Sequence, residues 1–173
     1  MNAEPENDPA ALYRKGKAYL LGIGVPKNDA EAAKWWRMAA EQNHAEAQCR
    51  LGLLYNDDTA GVPNDDVEAV RWYLRAAMQN HAGAQFWVGY CYHYGRGVEQ
   101  DLEEAVKWYR RAAEQDDPEA QVSLGECYYK GEGVPKDEVE VLKWFLKAAA
   151  VKGYSGQSVW RETLPRHLLK GKA

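Results

Sequence analysis

A tryptophan returns every 36 or 37 residues in this chain, at Trp35, Trp72, Trp108 and Trp144, and a glycine keeps the same beat at Gly16, Gly52, Gly89 and Gly125. A closed core has no use for such a period. It marks a supersecondary unit repeated in tandem, each copy burying its apolar face against the next. The cleanest copy runs from Gly95 to Gly125, GRGVEQDLEEAVKWYRRAAEQDDPEAQVSLG. Its recurrence makes residues 1 to 173 one continuous array and a single domain.

Local signals divide each copy into two helices. The first helix begins near Asp8 with Pro9 at its opening position, and ends near Tyr19 or Leu20 before Gly22-Ile23-Gly24-Val25-Pro26. Glycine accepts the left-handed conformation that ends helices, and Pro26 cannot continue one. The stop recurs at Gly95-Arg96-Gly97-Val98 and Gly131-Glu132-Gly133-Val134, but the second copy reads Asn56-Asp57-Asp58-Thr59-Ala60-Gly61-Val62, with an extra residue and without the first glycine. That connection is expected to be looser. Three residues after each valine stands a cap (Asn28, Asp65, Asp101, Asp137), and three residues after each cap a glutamate (Glu31, Glu68, Glu104, Glu140). This spacing predicts capping boxes, in which the glutamate reaches back to the N–H of the cap.

The capped helices run to about Gln42, Gln79, Gln115 and Lys152, and the breaks that follow, such as Asn43-His44 and Asn80-His81, are short enough for antiparallel helix pairs. Copies are therefore expected at about 8 to 43, 44 to 80, 81 to 116 and 117 to 152. A capping helix is expected at about 154 to 169, where Trp160-Arg161 replaces the usual Leu-Gly pair and Pro165 interrupts. Within each copy the tryptophan and an Ala-Ala pair lie about one turn apart and are expected to interlock as packing. Glycine inside the first helix of each pair costs about 1 kcal/mol relative to alanine, so its return points to close helix approach.

Function classes can be excluded on the same evidence. A net charge of −4 speaks against a general nucleic-acid binder, although residues 152 to 173 carry +4 and the rest −8. No apolar run approaches the roughly 20 residues of a membrane span. The opening MNAEPENDPA has no leader pattern, so the expected compartment is the cytoplasm, with a periplasmic or secreted location left open should a leader have been removed. Cys49, Cys91 and Cys127 have no CxxC spacing and read as buried small residues. The four histidines show no metal spacing, and His93 reads as a surface residue. Phosphate-loop, dinucleotide and nucleophile-elbow motifs do not occur. No catalytic residue, metal or cofactor is expected, and the chain reads as not an enzyme.

Leu-Gly-x-x-Tyr, Gly-x-Gly-Val, Asp, Ala-x-x-Trp-Tyr, Ala-Ala and Ala-Gln, in that order, resemble the Sel-one-like repeat family, a relative of the tetratricopeptide repeats. The departures are Lys15 for leucine in the first copy, the altered turn of the second, and Val141 for alanine in the fourth. The resemblance implies an all-α, right-handed solenoid of helix pairs that serves as an adaptor or scaffold. Its first helices would line a concave groove that holds a peptide, helix or loop of a partner protein.

Helical spacing from each repeat glycine then puts four positions per copy in that groove. They are Tyr13, Lys17, Leu20 and Leu21; Cys49, Leu53, Asn56 and Asp57; Phe86, Tyr90, His93 and Tyr94; and Val122, Glu126, Tyr129 and Lys130. Phe86, Tyr90 and Tyr94 form one aromatic stripe and, with Tyr129, the expected hot spot. The partner is expected to be a protein, with no nucleic acid or membrane, and Lys15 and Arg161 at the array's ends favour a monomer. An immunity-type protein that neutralises a toxin fits the same family. The penicillin-binding or β-lactamase-like activity attributed to cysteine-rich relatives is the other alternative, and what separates this chain from them is that those carry two cysteines per repeat where this one has at most one.

Overall fold

The computed structural model describes residues 7 to 56 and 63 to 151. Among them are eight helices and no strand: α1 (Pro9–Leu21), α2 (Asp29–Glu41), α3 (Ala45–Asn56), α4 (Asp66–Ala77), α5 (Ala82–Tyr94), α6 (Leu102–Ala113), α7 (Pro118–Lys130) and α8 (Glu138–Ala150). Each odd-numbered helix packs on the even one that follows, and each even one on the next odd one. This chain of nearest neighbours is an all-α solenoid. The altered turn of the second copy lies largely outside the described residues, and the expected capping helix lies wholly outside them.

Within a pair, the repeat glycine makes room for a ring. A Cβ built on Gly16 would lie 2.4 Å from the Trp36 indole, on Gly52 2.5 Å from Tyr73, and on Gly89 2.7 Å from Tyr109. The close approach inferred from sequence is therefore helix against aromatic ring. The ring belongs to the residue after the repeat tryptophan, the tryptophan itself being buried in copies two to four under a basic side chain. The Arg75 guanidinium stands 4.6 Å from the Trp72 ring centre and that of Arg111 4.4 Å from Trp108.

The caps form, but not as boxes. Asn28, Asp65, Asp101 and Asp137 accept from the backbone N–H of the glutamate three residues on, at 2.9 to 3.1 Å. The N–H of each cap is already engaged by the carbonyl of the repeat tyrosine on the preceding helix: Tyr19, Tyr55, Tyr92 or Tyr128, at 2.9 to 3.3 Å. With that donor taken, the glutamates turn to a base one turn on, in the pairs Glu31 with Lys34, Glu68 with Arg71, Glu104 with Lys107 and Glu140 with Lys143. The tyrosine carbonyl thus closes the turn between the two helices of every copy.

A buried glutamine ties the pairs to one another. The Gln48 amide nitrogen donates to the Ala40 carbonyl at the end of α2, and its oxygen accepts from Gln79 at the end of α4 (3.0 and 2.7 Å). Gln85 repeats the arrangement with Ala77 and Gln115 (3.2 and 2.7 Å), and Gln121 donates to Ala113 (3.1 Å). A polar side chain in the core is stable only with its partners supplied. In the fourth copy Val151 stands where Gln79 and Gln115 stood, and the Gln121 oxygen has no donor among the described residues.

The turn glycines form the other joint. A Cβ on Gly97 would meet the Asp66 carbonyl oxygen at 2.2 Å, and one on Gly133 the Leu102 carbonyl oxygen at 2.1 Å, so each turn sits on the N-terminus of the preceding pair's even helix. Arg96, beside Gly97, clamps the first of these joints by donating to both Asp66 carboxylate oxygens (3.0 and 3.2 Å).

Candidate functional site

The odd-numbered helices present two groups of side chains that the repeat core does not require. The first spans α1, α3 and the start of α5. Tyr13, Lys17, Leu20 and Leu21 surround one depression together with Trp36 and Arg50. Beside it, Tyr13 stacks on His44 with ring centres 5.0 Å apart and donates its hydroxyl to Glu46 (3.3 Å). Glu46 also accepts from Arg50 (3.0 Å) and from His81 Nε2 (2.7 Å).

His81 is fixed by the fold. Its Nδ1 accepts from the Ala84 N–H as the cap of α5 (3.1 Å), which leaves the proton on Nε2 for Glu46. The His81 hydrogen bond, with help from Arg50, holds the Glu46 carboxyl at about 2. His44 caps α3 in the same way, through a 3.2 Å bond to its Nδ1. This is the structural reason behind the recurrence of His44 and His81. None of Glu46, Arg50 and His81 stands at a position derived from the groove spacing. The recurrence of the turn histidine is the sequence signal that could have led to His81, and nothing comparable marks Glu46 or Arg50.

The second group lies on α5 and α7. Tyr90 and Tyr94 have ring centres 4.6 Å apart, and Tyr94 is 58% exposed. Phe86 does not join them. It is buried against Trp87 and Tyr109, because the glycine one turn away brings Tyr109 up to α5 and gives the phenylalanine a ring to pack on. The aromatic stripe is therefore two residues long.

His93 corrects a second expectation. Its side chain is only 14% exposed, lies between Tyr94 and Tyr109, and faces Glu132 with Nε2 to Oε2 at 3.5 Å. Burial, opposed in part by Glu132, holds it below the ordinary histidine range. Across from it on α7, Glu126 and Lys130 lie 3.9 Å apart, Lys130 is 3.8 Å from Glu132, and Tyr129 is 38% exposed.

Other expected groove positions are occupied by the core. Cys49 is buried, and Val122 packs with Val141 and Phe145. Leu53 and Asn56 are half-buried, and Asp57 lies outside the described residues. Cys49, Cys91 and Cys127 are unpaired and buried, their thiols pushed up to about 12 by desolvation, so they are poor nucleophiles at neutral pH. Among the described residues no cluster of His, Cys, Asp and Glu could hold a metal ion, and no helix is long and apolar enough to cross a membrane.

The helix pairs, the glycine-seated rings and the glutamine spine recur in register with four matches to the Sel1 repeat, over residues 9 to 44, 45 to 81, 82 to 117 and 118 to 150. The chain belongs to the Sel1 repeat family. Two solved structures agree. A protective antigen of uropathogenic Escherichia coli displaying an SLR fold is 40% identical, with a TM-score of 0.81, over 86% of this chain and 32% of that one. A Sel1 repeat protein from Oxalobacter formigenes is 38% identical, with a TM-score of 0.82, over 91% of this chain and 64% of that one. The chain thus spans about a third of the first and under two thirds of the second. The cysteine rich protein B of Helicobacter pylori shares the fold at 23% identity and a TM-score of 0.59. Sel1 repeat proteins are in general non-enzymatic modules of protein interaction.

Proposed function

We propose that this Sel1 repeat chain is an adaptor that holds a peptide, helix or loop of a partner protein along the face of its odd-numbered helices, the face we read as the concave groove. One observation carries this reading: Tyr90, set edge-on against Trp87, holds the Tyr94 ring in tilted contact on α5 (ring centres 4.6 Å apart), and Tyr94 is more than half exposed although it belongs to neither core cluster around it. An exposed tyrosine whose ring is held in place by its neighbour gives a partner contact area at little entropic cost. Lys17 and Tyr13 at one end of the face, and Glu126, Tyr129 and Lys130 at the other, are polar or amphipathic and frame the shelf.

The monomeric reading rests on α1. Leu12 and Lys15 stand there at the places where later copies carry the spine glutamine and a buried leucine or valine, and Lys15 lies over Trp35 (4.7 Å) instead of receiving another helix pair.

Affinity capture from cells of the source organism tests the proposal, comparing the wild type with a Tyr90→Ala/Tyr94→Ala variant shown to be folded by its melting curve. A protein held by the wild type and lost by the variant is the expected result. Equal retention by both overturns the assignment of the groove to α5.

A further inference from the structure

Resting on that reading of the groove, the geometry points to an arginine side chain as the group the partner inserts, its guanidinium stacked on Tyr94 and donating to Glu132 and Glu126. The shelf is acidic where it is aromatic. Among the described residues Glu126 and Glu132 face it against the ammonium of Lys130, which stands 3.8 to 3.9 Å from both, beyond hydrogen-bonding distance. Arg96, a further described cation on this side, is already forked on Asp66.

Glu132 is held by ion pairs too long to be hydrogen bonds, Lys130 Nζ standing 3.8 Å from its Oε2. Its Oε2 is buried with no hydrogen bond, and His93 Nε2 is 3.5 Å away, while a third of the side chain faces solvent. Oε2 itself is closed to solvent, so an incoming N–H donor meets the solvent-facing part of the Glu132 side chain and supplies the hydrogen bond that these longer contacts do not. Arginine suits the place better than lysine, because a planar guanidinium stacks on a tyrosine face and forks on a carboxylate at once. The chain makes the same contact internally, with the Arg111 guanidinium 4.4 Å from the Trp108 ring centre and Arg37 over Tyr55 while bonded to its hydroxyl.

An NMR titration of the isotope-labelled full chain tests this, using three synthetic peptides that are blocked at both ends and identical except for a central arginine, lysine or glutamine. The expected result is a saturable shift at Tyr90, His93, Tyr94, Lys130 and Glu132 with the arginine peptide. It should bind about threefold or more tighter than the lysine twin, and about tenfold weaker to a Glu126→Gln/Glu132→Gln variant. Equal binding of the lysine or glutamine peptide, shifts elsewhere on the array, or no saturable shift overturns the arginine assignment. The two readings fail separately. A captured partner lost by the tyrosine variant and kept by the glutamine variant preserves the groove and removes the arginine.

Discussion

Glycine is usually a weak residue inside a helix, yet here removing it does more harm than keeping it. Alanine at Gly52 would bring a Cβ to 2.5 Å from Tyr73, so the ring must leave its seat, whereas at Gly125 the nearest atom of Phe145 is 3.1 Å away. Overpacking costs about 1 to 3 kcal/mol and the helix gains back about 1. Gly52→Ala is therefore expected to destabilise by up to about 2 kcal/mol, with Gly125→Ala near neutral. Urea denaturation of the two variants measures this, and equal midpoints would contradict the packing account. Glu46 makes a second test at this scale. Its carboxyl titrates at about 2 rather than 4.5, so the stability it adds is complete above pH 4.5 and is lost as pH falls toward 2. With the side chain 35% exposed, screening reduces the effect to about 1 kcal/mol. Glu46→Gln should be less stable than wild type by that amount at pH 7, and the two curves should converge on acidification.

At the scale of the element, most of the helix ends could be read from the chain and one feature of them could not. The sequence supplies the caps, because Asn and Asp at fixed spacing have few other roles. It does not reveal that the N–H of each cap is claimed by a tyrosine carbonyl nine or ten residues back, since backbone acceptors leave no trace in side-chain identity. Asp101→Ala removes the surviving half of the motif and should cost about 1 kcal/mol in thermal denaturation. The glutamine spine was visible as the recurring Ala-Gln pair, but its purpose shows only where two helix ends converge on the side chain. Val151→Gln offers the unsatisfied Gln121 oxygen the donor that Gln79 and Gln115 give in earlier copies. A gain of about 1 kcal/mol is expected, and no change in melting temperature would show that the oxygen is met in another way. The candidate site was legible only in part. Helical spacing located Tyr90 and Tyr94, but it cannot tell a groove residue from one such as Phe86, which the ring seated on Gly89 draws into the core.

Across the whole molecule, stability is a sum of pairs and the joints between them. Gly97 combines a φ of +69° with a Cβ position 2.2 Å from the Asp66 carbonyl, whereas Gly24, at a φ of +72°, has nothing within 4 Å. Both lose the left-handed conformation when replaced by alanine, but only Gly97→Ala also forces a joint apart. We expect Gly24→Ala to unfold in one transition at slightly lower urea, and Gly97→Ala to broaden or split the transition as the halves on either side lose their coupling. A single sharp transition for Gly97→Ala would place the coupling in the glutamine spine instead. The hydrogen bond from Asp65 to Tyr55 has a further consequence. It forms although ten residues separate the pair where other copies have nine, so the fold reads the two anchor points and not the length of chain between them. That span is where an engineer could graft a foreign epitope, or a lineage lengthen its repeat, and still find helices α3 and α4 clasped at the same place.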